Sequence, residues 1–138
     1  MNIDSINNGV VIDHITAGRG MKIYELLSLN DLDATVAIIK NAPSAKMGRK
    51  DLIKIDADIE INLDAVAFVD PGATVNIIQQ GSAQKRALEI PEKLVNVISC
   101  KNPRCISTCE QELDQVFVLA DRDKKIYRCA YCETKANA

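Results

Sequence analysis

The sequence predicts an α+β protein in two parts. Residues 1–92 are expected to form an N-terminal antiparallel sheet covered by two helices, and residues 93–138 a small C-terminal all-β part organised by cysteines. Three observations carry this. Before Pro91, short runs of β-formers alternate with two stretches of helical spacing. After Pro91 no helix-length apolar pattern appears. All five cysteines lie beyond Pro91, four of them in two close pairs.

The elements follow in order. Gly9 to Ala17 reads as a first strand, with Val10, Val11, Ile12 and Ile15 bounded by Gly9 and Gly18. Residues 20–29 place Met21, Ile23, Tyr24, Leu26 and Leu27 at helical spacing. A polar turn at 30–33 leads to a second strand over 34–40, and Pro43 and Gly48 mark residues 41–48 as a loop. The third strand, 49–55, alternates Ile53 and Ile55 on one face with Leu52 and Lys54 on the other. Asn62 is a good N-cap for a helix over 62–70, which Asp70-Pro71-Gly72 ends. Strands over 73–79 and 83–90 flank a turn at Gln80-Gly81-Ser82. Beyond Pro91, residues 94–99 read as a strand, and 115–120 with 125–129 as a hairpin.

Composition narrows the function. The chain has 138 residues, 47% hydrophobic, enough for a packed core in one domain or two small ones. Its net charge is −2, from 17 basic and 19 acidic residues, so a nucleic-acid role would need a local basic patch. Aromatics are 4% and there is no Trp, which leaves few platforms for stacking bases. The polar start lacks the basic residues and apolar run of a signal peptide, and no window is long enough to cross a bilayer. The expectation is a soluble, cytoplasmic protein without membrane partners.

Cys100 and Cys105, then Cys129 and Cys132, form two close pairs separated by 23 residues. Each pair supplies two thiolates from one turn, and two turns complete a tetrahedron that suits Zn2+. A closed four-sulfur site has no open position, so one structural zinc per chain is expected. About 45 residues is near the size below which a core needs such a staple. The remaining cysteine, Cys109, is expected to be a small buried or half-buried side chain. A disulfide framework explains neither the odd count nor the pairing, which points to a reducing compartment.

No catalytic constellation is evident. His14 is the only histidine, and Gly18-Arg19-Gly20 lacks the spacing of a phosphate loop. Lys54, within an apolar strand, could converge with Lys85 and Arg86 of another strand on one anionic ligand. The plain alternative is a solvated sheet face.

Several stretches are specific enough to compare with a family: Gly-Val-Val-Ile-Asp-His-Ile (9–15), Met-Gly-Arg-Lys-Asp-Leu-Ile-Lys-Ile (47–55), Ala-Thr-Val-Asn (73–76), Cys-x4-Cys-Ile-Ser (100–107) and Cys-x-Tyr-Cys (129–132). With these in order over nearly its whole length, the chain resembles the regulatory chain of aspartate carbamoyltransferase. The resemblance implies a non-catalytic regulatory subunit in de novo pyrimidine biosynthesis. Residues 1–92 would be the allosteric domain for CTP or ATP, with UTP a further candidate. Residues 93–138 would be the zinc domain that contacts the catalytic chain. Regulatory-chain homodimers would tie catalytic trimers together, and nucleotide would shift the assembly between activity states.

By that resemblance, Asp13 and His14 lie beside ribose and phosphates, Lys54 reaches the nucleotide, and Asn76 and Ile78 line ribose and base. Lys85 holds the triphosphate if one residue is deleted from the preceding turn, and Asp4 and Ile6 lie near the base. The family's usual tyrosine falls in Gln80-Gly81-Ser82, which leaves selectivity among CTP, UTP and ATP open. Two other classes compete: a zinc-ribbon nucleic-acid-binding module, and a redox enzyme using Cys129 and Cys132.

Overall fold

The apolar runs before Pro91 become one five-stranded antiparallel sheet in the computed structural model, which describes residues 8–86, 88–110 and 112–136. The strands are β1 (Gly9–Thr16), β2 (Thr35–Ser44), β3 (Gly48–Asp56), β4 (Thr74–Gln79) and β5 (Ser82–Arg86), in the order β2-β3-β1-β4-β5. Helices α1 (Gly20–Leu26) and α2 (Leu63–Val69) contribute Ile23, Val66 and Val69 to a core shared with Val10, Ile12, Ile53, Ile55 and Val75. Both helices therefore close the same face of the sheet. The Asn62 side chain accepts from the Asp64 N–H at 3.0 Å, as an N-cap should.

Several boundaries differ from the sequence reading. The expected loop at 41–48 is mostly strand: Ala42, Pro43 and Ser44 pair with Lys50, Arg49 and Gly48. Pro43 is tolerated because β2 is an edge strand, where a missing N–H costs no ladder bond. The first helix stops at Leu26, and Ser28, at φ 53°, starts a short 3-10 turn over Leu29–Asp31. Strand β5 ends at Arg86, short of the expected 90.

Strand β3 runs regularly, whereas both neighbours bulge beside it. The β1 register shifts between Ile12 and Ile15, and the β2 register between Ile39 and Ala42. His14 and Asn41 take up these extra residues at φ 56° and 57°. The fully buried Asp51 holds the region together. Its carboxylate accepts from the N–H groups of Asn41 (2.8 Å), Gly20 (2.9 Å) and Gly18 (3.0 Å). Gly20 is required there, since a Cβ would stand 2.9 Å from Asp51 Oδ2.

Burial pushes the Asp51 carboxyl up, but the Asn41, Gly20 and Gly18 N–H donors outweigh it and hold the group below its ordinary value. A lowered folded value contributes stability that is present above the unfolded pKa of about 4 and lost as pH falls through the folded value. Asp51→Ala orphans three backbone donors, two of them at the β1–α1 turn. It is expected to cost on the order of 3–5 kcal/mol in urea unfolding and to flatten the acid limb of the stability–pH curve.

The chain divides into two compact units, 1–88 and 89–138. The second holds a three-stranded antiparallel sheet, β6 (Lys93–Val95), β7 (Val116–Asp121) and β8 (Ile126–Cys129), in that order. The strand expected over 94–99 stops at Val95 because Asn96, at φ 57°, turns the chain. The Asn96 side chain is held by Asp114 and by the Gln115 N–H. One helical turn, α3 (Ile106–Cys109), follows the first cysteine pair and was not anticipated. Among the described residues, the buried side chains of this unit are Leu94, Phe117, Tyr127, Ser107 and three of the cysteines.

Candidate functional site

In the second unit four sulfurs come together. Cys100 comes from the loop before α3 and Cys105 is the N-cap residue of that helix, while Cys129 and Cys132 come from the end of β8 and the turn beyond. Their Sγ atoms all lie within 4.8 Å of one another. The Cys100–Cys132 and Cys105–Cys129 separations are 3.6 and 3.7 Å. Four thiolates around a zinc ion at about 2.3 Å would have tetrahedral edges of about 3.8 Å, so the spacing fits.

Neighbouring polar groups orient the sulfurs. Ser107 Oγ lies 3.0 Å from Cys105 Sγ, and Thr134 Oγ1 lies 3.1 Å from Cys132 Sγ. Gln115 braces the first loop, accepting from the Cys100 N–H at 3.0 Å and donating to the Ser107 carbonyl at 2.6 Å. Such outer partners fix ligand orientation. Only Ser107 carried a sequence signal, through its place two residues after Cys105.

The thiols are pushed in opposite directions. Burial drives Cys100 up to about 12, whereas the Thr134 hydroxyl and N–H draw Cys132 down to about 6, and the Ser107 hydroxyl lowers Cys105. Four sulfurs this close shed all their protons only around a cation, so ionisation and metal binding form one event. Cys109 differs from its expectation. It ends α3 exposed, 3.7 Å from the Pro103 carbonyl, and is not among the four clustered sulfurs.

The first unit presents a different arrangement. Register aligns Lys54 on β3, Val11 on β1, Asn76 on β4 and Lys85 on β5 in one row across the sheet. Paired residues point to the same side, and these alternate with the core residues, so the row lies on the face without helices. Strands are about 4.8 Å apart, which separates Lys54 and Lys85 by roughly 14 Å at Cα. Ile78 stands on the same face between Gly9, which has no side chain, and Ala83, which has only a methyl, and so forms a shallow apolar ledge.

Asp13 and His14 border this row. The Asp13 carboxylate meets Lys50 Nζ at 2.9 Å and accepts from the His14 N–H at 2.6 Å. Burial raises the Asp13 carboxyl, but Lys50 and the His14 N–H prevail and hold it below the ordinary value. His14 Nδ1 lies 3.0 Å from Thr74 Oγ1, also on the open face. Lys50 was missed, although alternation along β3 puts positions 50, 52 and 54 on one side. Arg86 is corrected: it pairs with Val75 of the core row, so it does not converge with Lys54 and Lys85. Asp4 and Ile6 lie outside the described residues.

At the end of the sheet, Gln80 and Gly81 make a two-residue turn with both φ positive, at 50° and 79°. Beside it lies a polar cleft of about 460 Å³ lined by Asn8, Asp58, Gln79, Gln80, Ser82 and Gln84.

Four clustered thiols in one unit and an open, lysine-bearing sheet face in the other define a protein with a candidate metal centre and a separate candidate binding face. The family follows from the comparisons. The family described as "Aspartate carbamoyltransferase regulatory chain, allosteric domain" matches residues 1–89, and "Aspartate carbamoyltransferase regulatory chain, metal binding domain" matches residues 92–138. An aspartate carbamoyltransferase regulatory chain of Clostridium botulinum is 45% identical over 134 residues, covering 96% of this chain and 92% of the relative. That of Clostridium tetani is 43% identical over 135 residues, covering 96% and 94%, and that of Bifidobacterium longum 42% over 137, covering 99% of each. The chain belongs to the aspartate carbamoyltransferase regulatory chain family, and is a non-catalytic subunit rather than an enzyme.

Proposed function

We propose that this chain senses nucleoside triphosphates and transmits their binding to the catalytic chain of aspartate carbamoyltransferase. The observation that carries the reading is the row Lys54–Asn76–Lys85 on the open face, bordered by Asp13 and His14. Two ammonium groups on one face suit the phosphates of an anionic ligand despite the net charge of −2. Asn76 and the Ile78 ledge suit ribose and base. The amide-lined cleft at the Gln80-Gly81 turn would then bear on selection among CTP, ATP and UTP.

In this reading residues 1–92 are the nucleotide domain, and Cys100, Cys105, Cys129 and Cys132 hold one structural zinc in residues 93–138. That domain docks on the catalytic chain. A homodimer of regulatory chains would join through the first unit, where β2 and β5 are edge strands. Among the described residues no helix is long and apolar enough to cross a membrane. A site needing four reduced thiolates suits the cytoplasm.

The test is co-expression with the catalytic chain, followed by particle mass and aspartate saturation with and without CTP and ATP. The expected result is a particle larger than the catalytic chain alone forms, with a saturation curve that nucleotide displaces. A chain that never joins the catalytic chain would reject the assignment.

A further inference from the structure

Tyr127 has a role that the metal site and the nucleotide face leave unexplained. It lies on β8, two residues before Cys129, and only 2% of its surface is exposed. A tyrosine this buried places its hydroxyl on a partner. Here the hydroxyl donates to the carbonyl of Pro91. Strand order is β6-β7-β8 and Pro91 precedes β6, so the side chain reaches across β7 to the segment where the chain enters this unit.

The same segment is held at a second point. The Leu119 N–H donates to the Glu92 carbonyl at 2.8 Å, and Leu119 pairs in turn with Tyr127. Glu92, Leu119 and Tyr127 thus form one row across the sheet that carries Cys129. Arg122 adds an exposed ion pair to Glu92 at 3.6 Å, worth little by itself. Upstream, β5 ends at Arg86, and Leu88, Glu89 and Ile90 are in neither helix nor strand. Pro91 fixes its own φ and confines Ile90 to extended backbone. Any pivot is therefore pushed back ahead of Pro91, among the described residues Leu88, Glu89 and Ile90, with Pro91 as its fixed end.

We propose that Tyr127 is a positioning residue for regulation: its hydroxyl clamps Pro91 to the metal-bearing sheet, so that displacement of the first unit reaches the cysteine loops through residues 91–92. The proposal rests on the regulatory reading above and adds the route and the residue. Without the clamp the entering segment can yield, and movement upstream dissipates before it reaches β8. The clamp also works in reverse: loosening of the metal loops would free β8, and with it the hold on Pro91.

The test compares the wild-type chain with Tyr127→Phe, both assembled with the catalytic chain. Metal content, particle mass and triphosphate affinity are expected to be unchanged, while the nucleotide-induced displacement of the aspartate saturation curve is largely lost. In the metal-loaded chain alone, hydrogen exchange at the Leu119 amide should quicken by about fivefold, the equivalent of one net hydrogen bond. A Tyr127→Phe assembly with the full wild-type response overturns the proposal. If Tyr127→Phe loses metal or fails to fold, a Gly-Gly insertion between Glu89 and Ile90 replaces it, since it lengthens the pivot and leaves both units intact. A full response from that variant also overturns it. If the wild-type assembly shows no nucleotide response, the regulatory reading fails by itself. Unchanged Leu119 exchange in Tyr127→Phe then separately removes the clamp.

Discussion

Stripping the metal from the assembled chain is expected to unfold the second unit and release the catalytic chain together. The core of this unit is small: Leu94, Phe117 and Tyr127 are its large buried side chains, and Cys100, Cys105 and Cys129 fill the rest. Structural zinc in small domains contributes on the order of 10 kcal/mol or more, beyond what such a core supplies. The sulfurs also join two loops distant in sequence, so metal loss uncouples α3 from the end of β8. Cys129→Ala should behave as the stripped protein does. Chelation followed by metal analysis, particle mass and circular dichroism makes the measurement. The first unit should keep its fold and its nucleotide affinity, which calorimetry can verify on the stripped chain. An assembly that stays intact after verified metal loss would show that the cysteines staple a fold and do not shape a docking surface.

Replacing Lys85 or Lys54 by alanine is expected to weaken triphosphate binding far more than nucleoside binding. A charge-assisted hydrogen bond contributes about 1.5–3 kcal/mol, which is roughly a ten- to hundredfold loss in affinity. The larger effect should come from Lys54, which is half-buried on β3 next to the central strand, whereas Lys85 is exposed on the edge strand β5 and more strongly screened by salt. Neither substitution alters the core face, so the fold should survive both. Calorimetry with a triphosphate and its nucleoside, at two salt concentrations, separates the effects. Equal losses for both ligands would move the phosphates away from this row.

Much of this molecule could be read from short stretches of chain. Strand alternation separated Ile53 and Ile55 from Lys54, and β3 keeps that division throughout. Asn62 marked the start of α2 and caps it as expected. The four-cysteine cluster was legible from spacing alone, because two thiols within one turn are a local property. The misreadings are those in which distant partners outweigh local preference. Pro43 looks like a strand breaker until β2 proves to be an edge. Val97 and Ile98 look like strand until Asn96 turns, held by Asp114 and Gln115 from another part of the chain.

What the sequence determined by itself, then, is the α+β class, most of the elements and the grouping of four cysteines. These follow from periodicity, capping and short-range spacing, which act over a few residues. The tertiary structure alone decided which polar groups share a face and which are buried. Only register shows that Lys54, Asn76 and Lys85 form a row and that Arg86 belongs to the opposite side. Only folding reveals that Asp51 is a fully buried anchor beside the exposed-face lysines, or that Tyr127 reaches Pro91. Cross-strand pairing sets these relations between residues that are far apart in the chain, as with His14 and Thr74, 60 positions apart. A one-residue slip in register would reverse every one of those side chains, and no local preference encodes that choice.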